Sequence, residues 1–194
     1  LRTLKANNSG LSKITGKVAL ETLQANDCAN LTAIDATLCS NLTTFEARSC
    51  EKLATVEVRS AKLTNIDLTN SKVSTLLDVD NCSKLATITG WDTLPLQNLK
   101  ASYTALTQIT EKSSLKTLYV ENCSQLTTIK GGNNLQTLKA NGCTNVTSID
   151  TKRCSKLTTY EARSCKLTAV EVHSSDLTTL DLTSCDKVTS LDLS

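Results

Sequence analysis

Nine cysteines and a periodic file of carboxylates are the groups in this sequence with chemistry in them. Cys28, Cys39, Cys50, Cys123, Cys143, Cys154, Cys165 and Cys185 each occupy the ninth place of a short repeat that an apolar residue opens. Cys82 falls one place later. Thiols in this number could ligate a metal or close disulfides. No CxxC pair occurs and no Cys stands with a His at ligand spacing, so zinc is poorly supported. Burial as a small turn residue, with the sulfur packed against the next coil, explains the periodicity. Disulfides Cys28–Cys50 and Cys143–Cys165 are the sharper alternative, since strands one coil apart bring Cα atoms to about 4.8 Å. The ladder direction suits the disulfide torsion poorly, and the expectation is that none form.

Acids fill the fifth place as Asp35, Glu46, Glu57, Asp67, Asp150, Glu161, Glu171, Asp181 and Asp192. Asp150, Glu171 and Asp192 share one column in this reading, where stacked like charges repel. Arg48, Arg59, Lys152, Arg163 and His173 stand two residues further along and offer cross-strand pairs as relief. Calcium on the Asp150, Glu171, Asp192 column is the weaker alternative, because calcium takes six to eight oxygens, often from loops. One histidine, no nucleophile elbow and no phosphate-cradling glycine loop leave no catalytic constellation. The expectation is a non-enzyme without cofactor. A ligand patch, if present, is expected at Trp91, Asp92, Tyr103 and Tyr119, because exposed aromatics on a rigid scaffold are common contact anchors.

The elements that would position these groups follow from the period. Leu1, Leu11, Leu20, Leu31, Leu42 and their successors to Val188 open repeats of 9 to 12 residues, each with an apolar residue three places on. Two such halves of ten or eleven residues make a coil of about 21, a solenoid length. Each half centres a strand on its fourth place, held by Leu4, Ile14, Leu23, Ile34, Phe45, Val56 and Ile66. Alternation turns places four and six inward and places three, five and seven outward. Thr, Ser and Asn enrichment argues against a helical reading of the same spacing. The fold class is therefore all-β: a parallel β-solenoid with strands on both faces and little or no helix.

Above the short period lies a longer one. Leu42–Cys50 recurs as Leu157–Cys165, an offset of 115 residues, so 1–79 is matched with 115–194. The rhythm breaks only at residues 73–95, where Leu77 reads as an extra residue and the one Trp and one Pro occur. The whole chain, 1–194, reads as a single solenoid. With no Met and a stop within a repeat, the expectation is an excerpt of a longer array.

A net charge of +2 without like-charge runs excludes nucleic-acid binding driven by bulk charge. No apolar stretch is long enough to enter a membrane. Threonine fills the third place in 11 of 19 repeats, but the acids of the fifth place break the flat second file that ice binding needs. Asn-x-Ser/Thr sequons at Asn7, Asn30, Asn41, Asn81, Asn122 and Asn145 arise from the repeat and matter only in a eukaryotic secretory setting.

The run Leu177-Thr178-Thr179-Leu180-Asp181-Leu182-Thr183-Ser184-Cys185, followed by Val188-Thr189-Ser190-Leu191-Asp192-Leu193, resembles the short leucine-rich repeats of bacterial surface proteins, of the Bacteroidetes-like and internalin-like kind. The chain departs from that pattern in placing Cys where many members have Asn. The resemblance implies the leucine-rich-repeat type of solenoid, an extracellular or cell-surface location, and adhesion, protein recognition or a rigid appendage as the role. The implied partner is a protein or glycan on a cell surface, or further copies of the chain. A self-assembling filament subunit and a glycan or peptide receptor are the alternatives.

Overall fold

Alternation decides which residues go inside. In the computed structural model, which describes residues 1–16 and 20–194, fourth-place Leu23, Phe45 and Ile66 and sixth-place Ala25, Ala47 and Leu68 are all buried. Their neighbours Thr22, Gln24, Thr44 and Glu46 face out. The fold is an all-β parallel solenoid of about nine turns with about 21 residues per coil. Its described residues form two compact units, Leu1–Lys100 and Ala101–Ser194.

The first unit carries β1 (Thr3–Lys5), β2 (Lys13–Thr15), β3 (Thr22–Gln24), β4 (Ala33–Ala36), β5 (Thr44–Glu46), β6 (Thr55–Val58), β7 (Asn65–Asp67), β8 (Leu76–Asp78), β9 (Thr87–Thr89) and β10 (Asn98–Lys100). Strands β1, β3, β5, β7 and β9 form one parallel sheet. Strands β2, β4, β6, β8 and β10 pair in that order in another. Hence Thr22 pairs with Thr3 before it and Thr44 after it, one coil away on each side. A short 3₁₀ turn, Trp91–Thr93, follows β9.

The second unit carries β11 (Gln108–Ile109), β12 (Thr117–Tyr119), β13 (Thr128–Lys130), β14 (Thr137–Lys139), β15 (Ser148–Asp150), β16 (Thr159–Glu161), β17 (Ala169–Glu171), β18 (Thr179–Asp181) and β19 (Ser190–Asp192). Strands β12, β14, β16 and β18 pair in order. Strand β13 lies between β11 and β15, and β17 pairs with β19. Among the described residues no ladder joins β15 to β17. Ile149 of β15, an inner fourth-place residue, is only half-buried there.

Several of these short strands are extended by a side-chain bond. The second-place threonines donate to a carbonyl of the coil before: Thr32 to Ser12 at 2.9 Å, Thr43 to Glu21 at 3.0 Å, Thr158 to Gln136 at 2.9 Å. Each such bond contributes about 1 kcal/mol net. Many strands end at an eighth-place residue in the left-handed region. In the first unit these are Asn8, Asp27, Ser49 and Asn70, after β1, β3, β5 and β7, then Asn81 after β8. In the second unit they include Asn122, Gly142, Ser164 and Ser184, after β12, β14, β16 and β18. Asn and Asp tolerate positive φ and Gly adopts it freely, which suits Asn8, Asp27, Asn70, Asn81, Asn122 and Gly142 to the place, while Ser49, Ser164 and Ser184 adopt it as well. The left-handed turns thus change phase between β7 and β8, from odd strands to even.

The same place corrects one expectation from the sequence. Leu77 is not the extra residue of its half-coil. It pairs with Val56 and Leu99 and is fully buried, while Leu76 takes the outward place beside Thr55. The insertion therefore lies ahead of the strand, between Val73 and Leu76. A one-residue slip inside the ladder would turn every side chain to the wrong face. Asp78 joins the file of acids in consequence, paired with Glu57 and Lys100.

Candidate functional site

The cysteines come first, because their spacing promised chemistry. All nine are free thiols, and eight are buried. After a left-handed turn the ninth-place side chain points into the seam and meets a sixth-place carbonyl of the preceding coil. Cys28 donates to the Ala6 carbonyl at 3.0 Å, Cys50 to Ala25 at 3.1 Å, Cys123 to Ala101 at 3.1 Å, Cys143 to Val120 at 2.9 Å and Cys165 to Ala140 at 3.2 Å. Ser71 occupies the equivalent place and its hydroxyl donates to the Ala47 carbonyl. The place therefore selects a small donor, and the thiols act as rungs. Cys28, Cys50, Cys143 and Cys165, the four of the disulfide alternative, all serve in this way. Burial pushes the Cys154 thiol up to about 12 and the Cys165 thiol up to about 11, which suppresses the reactive thiolate.

Two cysteines sit differently. Cys39 and Cys154 cap hollows left by glycine: a Cβ on Gly16 would fall 2.6 Å from the Cys39 Sγ, and one on Gly131 closer still to the Cys154 Sγ. Both glycines are buried.

The fifth- and seventh-place residues form the site that geometry singles out, because the same set of bonds occurs once in each unit. In the first, the Arg48 guanidinium bridges Glu46 of its own strand and Asp67 of the next coil, the latter at 3.2 Å. Asn26 accepts from the Arg48 backbone N–H at 2.9 Å and donates to Glu46 at 3.1 Å. Asp67 accepts from both the backbone and the hydroxyl of Thr69, at 3.0 and 2.6 Å. In the second unit Arg163 bridges Glu161 at 3.1 Å and Asp181 at 3.4 Å. Asn141 accepts from the Arg163 backbone N–H at 2.9 Å and donates to Glu161 at 3.1 Å. Asp181 accepts from Thr183 at 3.0 and 2.6 Å. Lys139 adds a further pair to Glu161 at 3.0 Å.

These partners set the electrostatics. The Arg48 hydrogen bond, with Asn26 behind it, holds the Glu46 carboxyl below the usual range. Lys139 does the same for Glu161, and the Thr183 bonds for Asp181. The stacked acids are thus relieved by neighbouring bases, as the seventh-place Arg and Lys residues suggested. Arg59 pairs with the buried Asp78 at 2.6 Å, and Lys152 and His173 flank Glu171 at 3.6 and 2.8 Å.

The aromatic candidates are distributed between the units. Trp91 and Asp92 open the 3₁₀ turn of the first, Trp91 half-buried and Asp92 exposed. Gly90 precedes them with φ 88°, and a Cβ there would fall 2.8 Å from the Leu68 backbone, so only glycine serves. In the second unit Tyr103 lies at a turn in the left-handed region and is 53% exposed. Tyr119 is on β12, half-buried, with the Lys139 ammonium 5.8 Å from its ring centroid.

The acidic column is engaged elsewhere. Glu171 and Asp192 are directly paired across β17 and β19. Asp150 accepts from the Lys152 backbone N–H at 3.2 Å and Asp192 from that of Ser194 at 3.0 Å. Among the described residues no three His, Cys, Asp or Glu side chains are gathered to hold a metal. A shallow cleft of about 280 Å³ lies where β15 and β17 part, lined by Ser148, Ile149, Asp150, Thr151, Lys152, Ala169 and Glu171. The sequence carried no sign of it. The rung function of the ninth place was visible only in the substitution of Cys by Ser9, Ser71 and Thr104, all donors.

Fold and side-chain rungs define the class, a parallel β-solenoid repeat protein. No family model matches the chain, and no curated protein matches it. Among the described residues no helix is long and apolar enough to cross a membrane.

Proposed function

We propose that this chain is a leucine-rich-repeat-type solenoid of an extracellular or cell-surface protein, non-enzymatic, serving adhesion by recognition of a protein or glycan on another surface. One observation supports this above the rest. The Asn–Glu–Arg–Asp–Thr bond set is present with the same partners in both units. Polar side chains fixed by one another before a ligand arrives lose little freedom on binding, and that raises affinity. Ladder bonds from coil to coil hold the display in register within each unit. Titratable groups are tied into pairs, which suits presentation better than proton transfer.

The test is attachment. Beads carrying the purified chain are offered to immobilised extracellular proteins and polysaccharides, with and without chelator. Attachment to at least one class, unchanged by chelator, is expected. Failure to attach to any of them would remove the recognition role.

A further inference from the structure

Two threonine files run along the second unit, and they differ in one respect. The second-place hydroxyls are spent on backbone: Thr158 donates to Gln136 and Thr178 to Thr158, each at 2.9 Å. The third-place file is in register as Thr117, Thr137, Thr159 and Thr179. Among the described residues these four hydroxyls have no hydrogen-bond partner within the protein. They face out, one per coil, at about 4.8 Å. Beside them, in the same register, runs the row Tyr119, Lys139, Glu161, Asp181. Arg163 and Lys139 offset Glu161 and Asp181, and Glu121, which accepts from Asn141 at 2.6 Å, leaves the face with one net negative charge.

We infer that this face of β12, β14, β16 and β18 binds an uncharged linear polysaccharide laid along the stacking direction. The inference rests on the recognition role proposed above. Charges of both signs, each held by a partner, decide the class: a polyanion would meet Glu121, Glu161 and Asp181, and a polycation would meet Lys139 and Arg163. Hydroxyls that both donate and accept match sugar hydroxyls. The half-buried Tyr119 supplies an aromatic surface for a sugar to pack against, beside planar amide, carboxylate and guanidinium groups held in place. A polymer with hydroxyls at regular intervals meets several coils at once, where a single sugar would meet one. The first unit has Thr3, Thr22 and Thr44 in the matching file but Lys5 where the second has Tyr119, so its face lacks the ring.

The probes are soluble mixed-linkage β-glucan, galactomannan and xyloglucan, with dextran sulfate as polyanion, read by affinity electrophoresis and calorimetry. The wild type is expected to bind a neutral probe and not dextran sulfate. The double variant Thr137→Val, Thr159→Val keeps β-branched shape and removes two free hydroxyls, and should weaken binding about tenfold with unchanged melting temperature. Tyr119→Ala should weaken it at least as much. Thr158→Val removes a structural hydroxyl, and should lower the melting temperature while binding persists. The assignment falls if no neutral probe binds, if dextran sulfate is preferred, or if the double variant binds as well as wild type. Attachment of the beads to a protein alone would overturn this assignment and leave the recognition role standing. Attachment to nothing would remove both.

Discussion

Cys154 sits directly over Gly131, its sulfur in the space a side chain on that residue would need. Cys39 stands over Gly16 in the same way. Gly131→Ala would force the Cys154 sulfur or the Leu135 methyl, 3.2 Å from the added atom, to move. Overpacking of this kind costs about 1–3 kcal/mol. Cys154→Ala should recover much of the loss in the double variant, a coupling that urea titration of the four-protein cycle measures. Simple additivity of the two changes would refute the contact.

The thiol rungs predict a difference between two small substitutions. Cys165 donates to the Ala140 carbonyl at 3.2 Å. Cys165→Ser retains a donor, as Ser71 does naturally, and should cost less than about 1 kcal/mol. Cys165→Ala leaves the carbonyl unpaired in the seam and should cost about 1–3 kcal/mol. Equal melting temperatures for the two variants would show that the place needs volume and not a donor.

Acid should destabilise the protein through Glu46, Glu161 and Asp181. Their folded carboxyls lie below the usual range, held there by Arg48, Lys139 and Thr183 respectively. The stabilisation is therefore complete above the unfolded value near 4 and is lost as pH falls through the depressed folded values. The part of the denaturant midpoint that these carboxyls supply should be level from neutrality to about pH 5 and decline below it. Glu161→Gln should flatten that decline. An unchanged profile in the variant would remove Glu161 from the set.

His173 should behave with the opposite sign. Its hydrogen bond to Glu171 raises its pKa above the ordinary histidine value, with the Ser194 carbonyl as the second cause. What it contributes is present below the unfolded value near 6.5 and disappears as pH rises through the folded one. Proton NMR of the ring should give a midpoint above that of a free imidazole. Glu171→Gln should bring it down; a midpoint that stays put would rule out the pair.

The parted strands β15 and β17 should be the weak seam of the second unit. Among the described residues, strand β17 is laddered on one side only, to β19, whereas β16 is laddered on both sides, to β14 and β18. Hydrogen exchange should be faster at Ala169–Glu171 than at Thr159–Glu161. Equal protection would close the gap.

The inner file was legible because alternation over a buried seam leaves one answer: Leu23, Phe45 and Ile66 could only face in. The Arg48–Glu46–Asp67 set was nearly legible, since bases two residues from acids share a face. Three things were hidden. Leu77 was misplaced because an apolar residue in either register satisfies the spacing, and only its pairing with Val56 and Leu99 decides. The donor role of Cys28 and Cys50 depends on where a carbonyl points, which side-chain spacing does not encode. The opening beside Ile149 depends on how two strands fail to meet, and no residue type there announces it.

The change of phase between β7 and β8 bears on how such an array lengthens. A turn ending in Asn70 and one ending in Asn81 follow successive strands, so either side of the slab accepts the left-handed turn. Copying need not proceed in whole coils. A duplicated block with an odd number of ten-residue pieces can be spliced in and still seat its leucines, with one loosened loop absorbing the mismatch. The smallest heritable increment of this architecture is half a turn.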